Sequence, residues 1–158
     1  MGGRPPLLLL DVDGVLNPFA ADVCPEGYRE YAFFPEEEPV RLCEDHGRWL
    51  ATLAGRFELV WATGWEDQAN VFVAPVLNLP PLPVVRFPPA PFDPAEKVPA
   101  IKALSGDRPA VWVDDAHTPE ARDWARSRSV PTLLVTTDPS RGLTRDMIEG
   151  LLAWQASL

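Results

Sequence analysis

Apolar residues in this chain come in short continuous runs that close on polar or glycine-bearing turns. Residues 7–12, LLLLDV, form such a run, of the kind buried on both faces of a parallel sheet. It leads into Asp-Val-Asp-Gly-Val-Leu-Asn, where Gly14 permits a tight turn. FELVWA at 57–62, AVWV at 110–113 and the run 133–136 read the same way, and 84–87 predicts a further strand in a proline-rich stretch. Between these runs the spacing becomes helical. Val40, Cys43, Gly47, Leu50 and Leu53 predict a helix over 40–54 that stops at Gly55. Other helices are predicted over 66–74, over 99–104 behind Pro99, from the Thr118-Pro119 cap to about 128, and after Thr144. The segment 18–39, with Tyr28, Tyr31, Phe33 and Phe34 among Pro25, Pro35 and Pro39, predicts a small hairpin or flap.

Strands alternating with helices predict an α/β fold: a Rossmann-like three-layer sandwich around a mostly parallel five-stranded sheet. No internal repeat interrupts it, and residues 1–158 read as a single domain. Sites in such sheets collect at the carboxyl ends of the strands. Three predicted strands end there on Asp11 and Asp13, on Thr63, and on Asp114 and Asp115.

Composition narrows the possible chemistry. The 23 acidic residues against 14 basic ones give a net charge of −9, which opposes a nonspecific grip on nucleic acid. A small phosphate site remains compatible, because a bound cation reverses the local potential. No apolar run approaches the ~18 residues of a membrane span, so no membrane partner is expected. Two cysteines, Cys24 and Cys43, could pair but make no disulfide-dense scaffold, and a reducing cytoplasmic setting is the simpler expectation. Nineteen prolines point to rigid loops around the scaffold.

Two aspartates one residue apart, where a strand gives way to a glycine turn, repel unless they share a proton or a cation. Asp114 and Asp115 add carboxylates at the end of another strand. Oxygen-only ligands suit Mg²⁺, often held together with substrate phosphate. The ordinary alternative, that these acids cap helices or face solvent, is weakened because both pairs end predicted parallel strands. The Thr63 hydroxyl and the backbone donors after it can hold a phosphoryl oxygen. Lys97, just before a short predicted helix, is the expected positive charge of the site, with Lys102 as the fallback.

The ordered set LLLLDVDGVLN at 7–17, VWAT at 60–63, Lys97 and VWVDD at 111–115 resembles the haloacid dehalogenase-like (HAD) hydrolase superfamily. WATGWEDQAN further resembles a small capless group, some of whose relatives occur as domains of nucleic-acid repair proteins. The resemblance implies a Mg²⁺-dependent phosphatase with Asp11 as nucleophile, forming an aspartyl-phosphate. Asp13 would protonate the leaving alkoxide and then deprotonate water. Mg²⁺ would be held by Asp11, the backbone carbonyl of Asp13, and Asp114, with Asp115 a further or supporting ligand. Thr63 and Lys97 would hold the phosphoryl oxygens, and Asn17 would fix the loop. Asp13 favours phosphoryl transfer over dehalogenation, since halide leaves without a proton.

The intervals 17–57 and 64–97 are too short for an ordinary cap, so the expected HAD-like core lacks a full cap domain. An open crevice suits a phosphate on a bulky substrate, including an oligonucleotide end. A small-metabolite or nucleotide phosphatase is the alternative, and a noncatalytic phosphate-binding or interaction domain is a rival from another class. A phosphoacceptor signalling domain fits less well, because its phosphorylated aspartate stands on a middle strand. Trp61 and Trp112 are expected in the core, and Trp65 at the mouth is a candidate for substrate contact. His46 reads as a packing or surface residue and His117 as the residue before the Thr118 cap. Arg86, Arg108, Arg141 and Arg145 are undifferentiated candidates for a phosphate contact.

Overall fold

The computed structural model describes residues 3–158. Its central sheet is built from β1 (Leu7–Leu10), β4 (Glu58–Trp61), β5 (Ala110–Asp114) and β6 (Thr132–Thr136), in the order β4-β1-β5-β6. All three pairings are parallel. Alternate side chains of a strand point to opposite faces, and the core divides accordingly. Leu8, Leu10, Leu59, Trp61, Val111 and Val113 pack toward Leu50, Leu53, Ile148 and Leu151 of α1 (Glu44–Leu53) and α5 (Arg145–Ala156). Leu7, Leu9, Val60, Ala62, Ala110 and Trp112 face Val98, Ile101, Ala121 and Trp124 of α3 (Lys97–Ser105) and α4 (Pro119–Ser127). Helices on both faces of a parallel sheet make the expected three-layer α/β/α core.

The fifth strand is the first correction. Val84 forms only an isolated parallel bridge with Trp61. Trp61 N–H donates to the Pro83 carbonyl and Val85 N–H to the Trp61 carbonyl, each at 2.9 Å. Pro80, Pro81, Pro83, Pro88 and Pro89 remove the donors a longer ladder needs, so among the described residues the sheet has four strands.

A second correction concerns 40–54. Val40–Leu42 is a strand, β3, paired antiparallel with β2 (Arg29–Tyr31), and the helix begins only at Glu44. Val40 and Cys43 satisfy a three-residue interval, so periodicity alone assigned them to the helix. In the fold, Val40 and Leu42 alternate inward as a strand does, and Asn17 Oδ1 accepts the Arg41 N–H at 3.1 Å. The predicted hairpin therefore exists, but it extends past 39 and is tied to the loop after β1. Gly47 lets α1 close on the chain after α2 (Ala74–Val76), since a Cβ there would collide with the Leu77 carbonyl.

The helix predicted over 66–74 is irregular. Residues Ala69–Val73 form a π-turn that leads into α2, with Ala74 N–H bonded to the Ala69 carbonyl. Pro75 has no N–H to continue an i−4 ladder, which accounts for the widened turn before it. The helix predicted behind Pro99 starts earlier, at Lys97, after the 3₁₀ turn Pro94–Glu96, where Asp93 accepts the Ala95 N–H at 2.9 Å. The Thr118 and Thr144 caps form as expected, accepting from Ala121 N–H and Met147 N–H. The intervals 17–57 and 64–97 hold the hairpin, α1 and these irregular turns, so among the described residues no full cap covers the carboxyl ends of the sheet.

No helix among the described residues is long and apolar enough to cross a membrane. Cys24 and Cys43 are free thiols.

Candidate active site

The carboxyl ends of β1, β4 and β5 open into a cavity of about 700 Å³. Each of these strands delivers one polar side chain at its end, because the apolar run that makes it a buried strand stops there. Asp11 follows β1, Thr63 follows β4, and Asp114 closes β5. All three are buried, as is Lys97 at the start of α3.

Lys97 joins the acids. Its Nζ donates to Asp114 Oδ2 at 2.8 Å and to Asp11 Oδ2 at 3.2 Å. Asp11 Oδ1 accepts the Val12 N–H at 2.7 Å, and Asp114 Oδ1 accepts the Ala116 N–H at 3.0 Å. Burial works against the Lys97 charge, but Asp11 and Asp114 outweigh it and hold the ammonium above its ordinary range. Burial also opposes ionisation of Asp114, yet Lys97 beside it keeps that carboxyl low. Asp11 goes the other way. Burial, with the Asp114 charge added, pushes it up to about 7 despite the pull of Lys97. Asp115, half-buried, is pushed to about 6 by burial and by Asp114. One ammonium thus leaves the three carboxylates short of positive charge.

Oxygens of Asp11, Asp114 and Asp115 lie within 4.8 Å of one another. Gly14, at φ +82°, makes this approach possible, because a Cβ there would overlap the Asp115 carboxylate. Hard oxygen donors, clustered and undercompensated, are compatible with a divalent cation such as Mg²⁺.

Asp13 stands apart from this cluster and is exposed. Both its oxygens are nevertheless engaged: Asn17 Nδ2 donates to Oδ1 at 2.9 Å, and Trp65 Nε1 donates to Oδ2 at 3.1 Å. Thr63 Oγ1 accepts the Trp65 N–H at 3.2 Å. The turn after β4 therefore fixes Trp65 against the first loop. Sequence reasoning had singled out Trp65 for its place at the mouth but missed its bond to Asp13. A span of 52 residues separates the partners, and only the parallel pairing of β1 with β4 brings them together.

Trp61 and Trp112 are core residues. His46 is a packing residue whose Nε2 meets the Leu143 carbonyl at 2.8 Å. His117 does more than precede a cap. It is buried edge-on to Trp112, with Nδ1 2.7 Å from Thr136 Oγ1, and burial lowers its pKa. None of the four candidate arginines lines the cavity. Arg86 pairs with Asp67, Arg108 with Glu58, and Arg145 approaches Glu149, while Arg141 is exposed. Lys102 is exposed on α3 and outside the cavity. Among the described lining residues Lys97 is the one cation. The flap expected at 18–39 supplies Phe19, Phe34, Glu37 and Glu38 to the cavity wall, whereas no feature of the sequence pointed to Phe92, which a distant loop supplies.

The model of the HAD domain in Swiss Army Knife RNA repair proteins matches residues 7–148, from β1 into α5. The chain belongs to this HAD family. That membership relates the chain to the HAD domains of RNA repair proteins. No curated protein matches the chain. The HAD match takes in Asp11, Asp13, Thr63, Lys97, Asp114 and Asp115, together with the hairpin that walls the cavity.

Proposed function

We propose that this HAD domain is a Mg²⁺-dependent phosphomonoesterase that works through an aspartyl-phosphate on Asp11. Its substrate is a terminal phosphate on a large leaving group, with a nucleic-acid end the best fit to the RNA-repair family. The whole chain acts as one domain in the cytoplasm, and the segment 18–39, continuing into the hairpin, serves as a flap over the site. One observation carries the reading: a buried carboxylate, Asp11, meets a buried ammonium and two further carboxylates where three parallel strands end.

Asp11, Asp114 and Asp115 would hold the ion by side-chain oxygens and Asp13 by its backbone carbonyl. A bound Mg²⁺ supplies positive charge that offsets the phosphoryl dianion, which otherwise repels a carboxylate nucleophile. Lys97 adds a second charge, and the Thr63 hydroxyl binds a phosphoryl oxygen. An Asp11 oxygen attacks phosphorus, forming an O–P bond as the bond to the leaving oxygen breaks. Asp13 gives its proton to that oxygen, which departs as an alcohol. The Asp13 carboxylate then takes a proton from water, whose oxygen attacks phosphorus and releases Asp11 and inorganic phosphate.

Metal binding should depend on pH with a defined sign. In the metal-free site Asp11 and Asp115 hold protons up to about 7 and about 6, and a cation must expel them. Affinity for Mg²⁺ should rise by up to about 100-fold per pH unit below pH 6, about tenfold between 6 and 7, and level off above that. Calorimetric titration in buffers of different ionisation enthalpy reads both affinity and proton release. Affinity that stays constant from pH 5 to 8 would remove these carboxylates from the ligand set. Exhaustive chelation should abolish hydrolysis and added Mg²⁺ restore it.

Trp65 acts as a positioning residue for Asp13. Trp65→Phe keeps an aromatic ring but deletes the indole N–H that donates to Asp13, a hydrogen bond that corresponds to about tenfold in rate. Turnover of an alkyl phosphate should fall by about that factor, and turnover of nitrophenyl phosphate by much less, because nitrophenolate leaves without a proton. Equal losses on the two substrates would show that Trp65 does not orient the acid.

A further inference from the structure

The cavity divides into an ionic floor and an aromatic rim. Among the described residues its lining carries one cation, Lys97, against five acids, Asp11, Asp13, Glu37, Glu38 and Asp115. Lys97 is committed to the floor between Asp11 and Asp114. Glu37 and Glu38 of the lining are exposed, as is Glu36 beside them in the chain. The nearby arginines are engaged elsewhere: Arg41 donates to the Pro18 and Ala21 carbonyls and pairs with Glu30, and Arg86 donates to both oxygens of Asp67. A phosphodiester chain leaving this site meets carboxylates where a backbone-binding protein presents lysine and arginine.

The rim offers rings instead. Phe34 lies 5.4 Å from Trp65 between ring centroids and 5.1 Å from Phe72. Phe92 overhangs Gly64, where a Cβ would sit 3.7 Å from its ring. Phe19, also in the cavity wall, is 54% exposed. Phe34 is thus wedged between Phe72 and Trp65, its ring inclined by 56° to the indole, and the indole N–H is itself bonded to Asp13.

We propose that Phe19, Phe34, Trp65 and Phe92 form a nucleobase subsite, so that the enzyme reads a single terminal nucleotide and not the chain behind it. The inference rests on the phosphomonoesterase reading and names how its substrate is gripped. Every base presents a π-face, so stacking is tolerant of sequence and needs no cation. The carboxylates of Glu37 and Glu38 accept hydrogen bonds from base N–H groups while repelling further phosphates. A cavity of about 700 Å³ is of the size that encloses a small organic ligand.

The test compares kcat/KM at saturating Mg²⁺ for ribose phosphate, a nucleoside monophosphate, and end-phosphorylated oligonucleotides of two, five and ten units, at low and high salt. The base should raise kcat/KM about 10- to 100-fold over ribose phosphate. Lengthening beyond one nucleotide should change it less than about threefold, with no growth in salt dependence. Phe34→Ala should cut the ratio of base-bearing to base-free substrate about tenfold, and Phe34→Trp should restore it. Phe19→Ala, at an exposed position that does not threaten the fold, should lower the ratio in the same direction. Equal rates with and without a base, or rates that climb with length and fall with salt, overturn the proposal. If no phosphomonoester is hydrolysed, the phosphatase reading fails by itself. The subsite is then tested by calorimetric binding of the same two small ligands to Asp11→Asn: tighter nucleotide binding upholds it, and equal binding rejects it.

Discussion

Asp11→Asn should abolish turnover and covalent phosphorylation together, with a loss on the order of 10⁴–10⁶-fold, as expected when a covalent nucleophile is removed. The amide cannot attack phosphorus, and nothing else on the cavity floor occupies the end of β1. The loss should not come from unfolding. Burial raises the folded-state pKa of Asp11 to about 7, above its ordinary value of 3.8. A raised carboxyl pKa contributes stability that is present below about pH 4 and is lost as pH climbs to about 7. Above that, the ionised carboxylate is a cost that asparagine does not carry, and Lys97 keeps its 2.8 Å partner Asp114. At pH 8 without metal the variant should therefore melt no lower than the wild type. A variant that is inactive because it is unfolded would contradict both the role and the electrostatics.

Asp13→Asn should impair the two chemical steps unevenly. It keeps the nucleophile and the backbone carbonyl but loses proton transfer, which is worth roughly 10²–10⁴-fold. With an alkyl phosphate both formation and breakdown of the aspartyl-phosphate should slow by about that much. With nitrophenyl phosphate the first step barely needs a proton, while the second still needs a base. The phosphoenzyme should then accumulate and appear as a burst of nitrophenolate. The Asn17 and Trp65 donors that now hold the Asp13 carboxylate can bond the amide only through its single carbonyl oxygen. The substituted side chain is therefore less firmly held, which adds to the loss for the alkyl substrate.

Much of this site was legible in the sequence because strand-end chemistry is local. An apolar run, its terminal aspartate and the glycine that follows occupy a few adjacent residues, so Asp11, Thr63 and Asp114 could be placed without knowing strand order. Lys97 was found by its place between two of those segments, although its helix begins earlier than Pro99 suggested. What could not be read depends on contacts between distant segments. Val40 and Cys43 fit a helical interval as well as they fit a strand and its exit, and only pairing with Arg29–Tyr31 decides between them. Prolines reduced the strand at 84–87 to a bridge, a backbone donor deficit that hydrophobic pattern does not register. Part of the cavity wall is hidden for a similar reason: Phe92 comes from a loop distant from the flap and from Trp65, and nothing in its neighbours' spacing announces that all three line one cavity.

The membership of the chain in a HAD family of RNA repair proteins and the acidic floor with its single ammonium lead to one testable claim, covalent phosphoryl transfer through Asp11. The most direct measurement is a rapid acid quench of Asp13→Asn reacting with nitrophenyl phosphate and Mg²⁺, followed by peptide mapping of the protein by mass. Close to one phosphoryl group per chain is expected within the burst, carried by the peptide containing Asp11, and none when chelator replaces Mg²⁺ or when Asp11 is also asparagine. Release of phosphate with no phosphorylated peptide at any time, or phosphate carried on another residue, would contradict it.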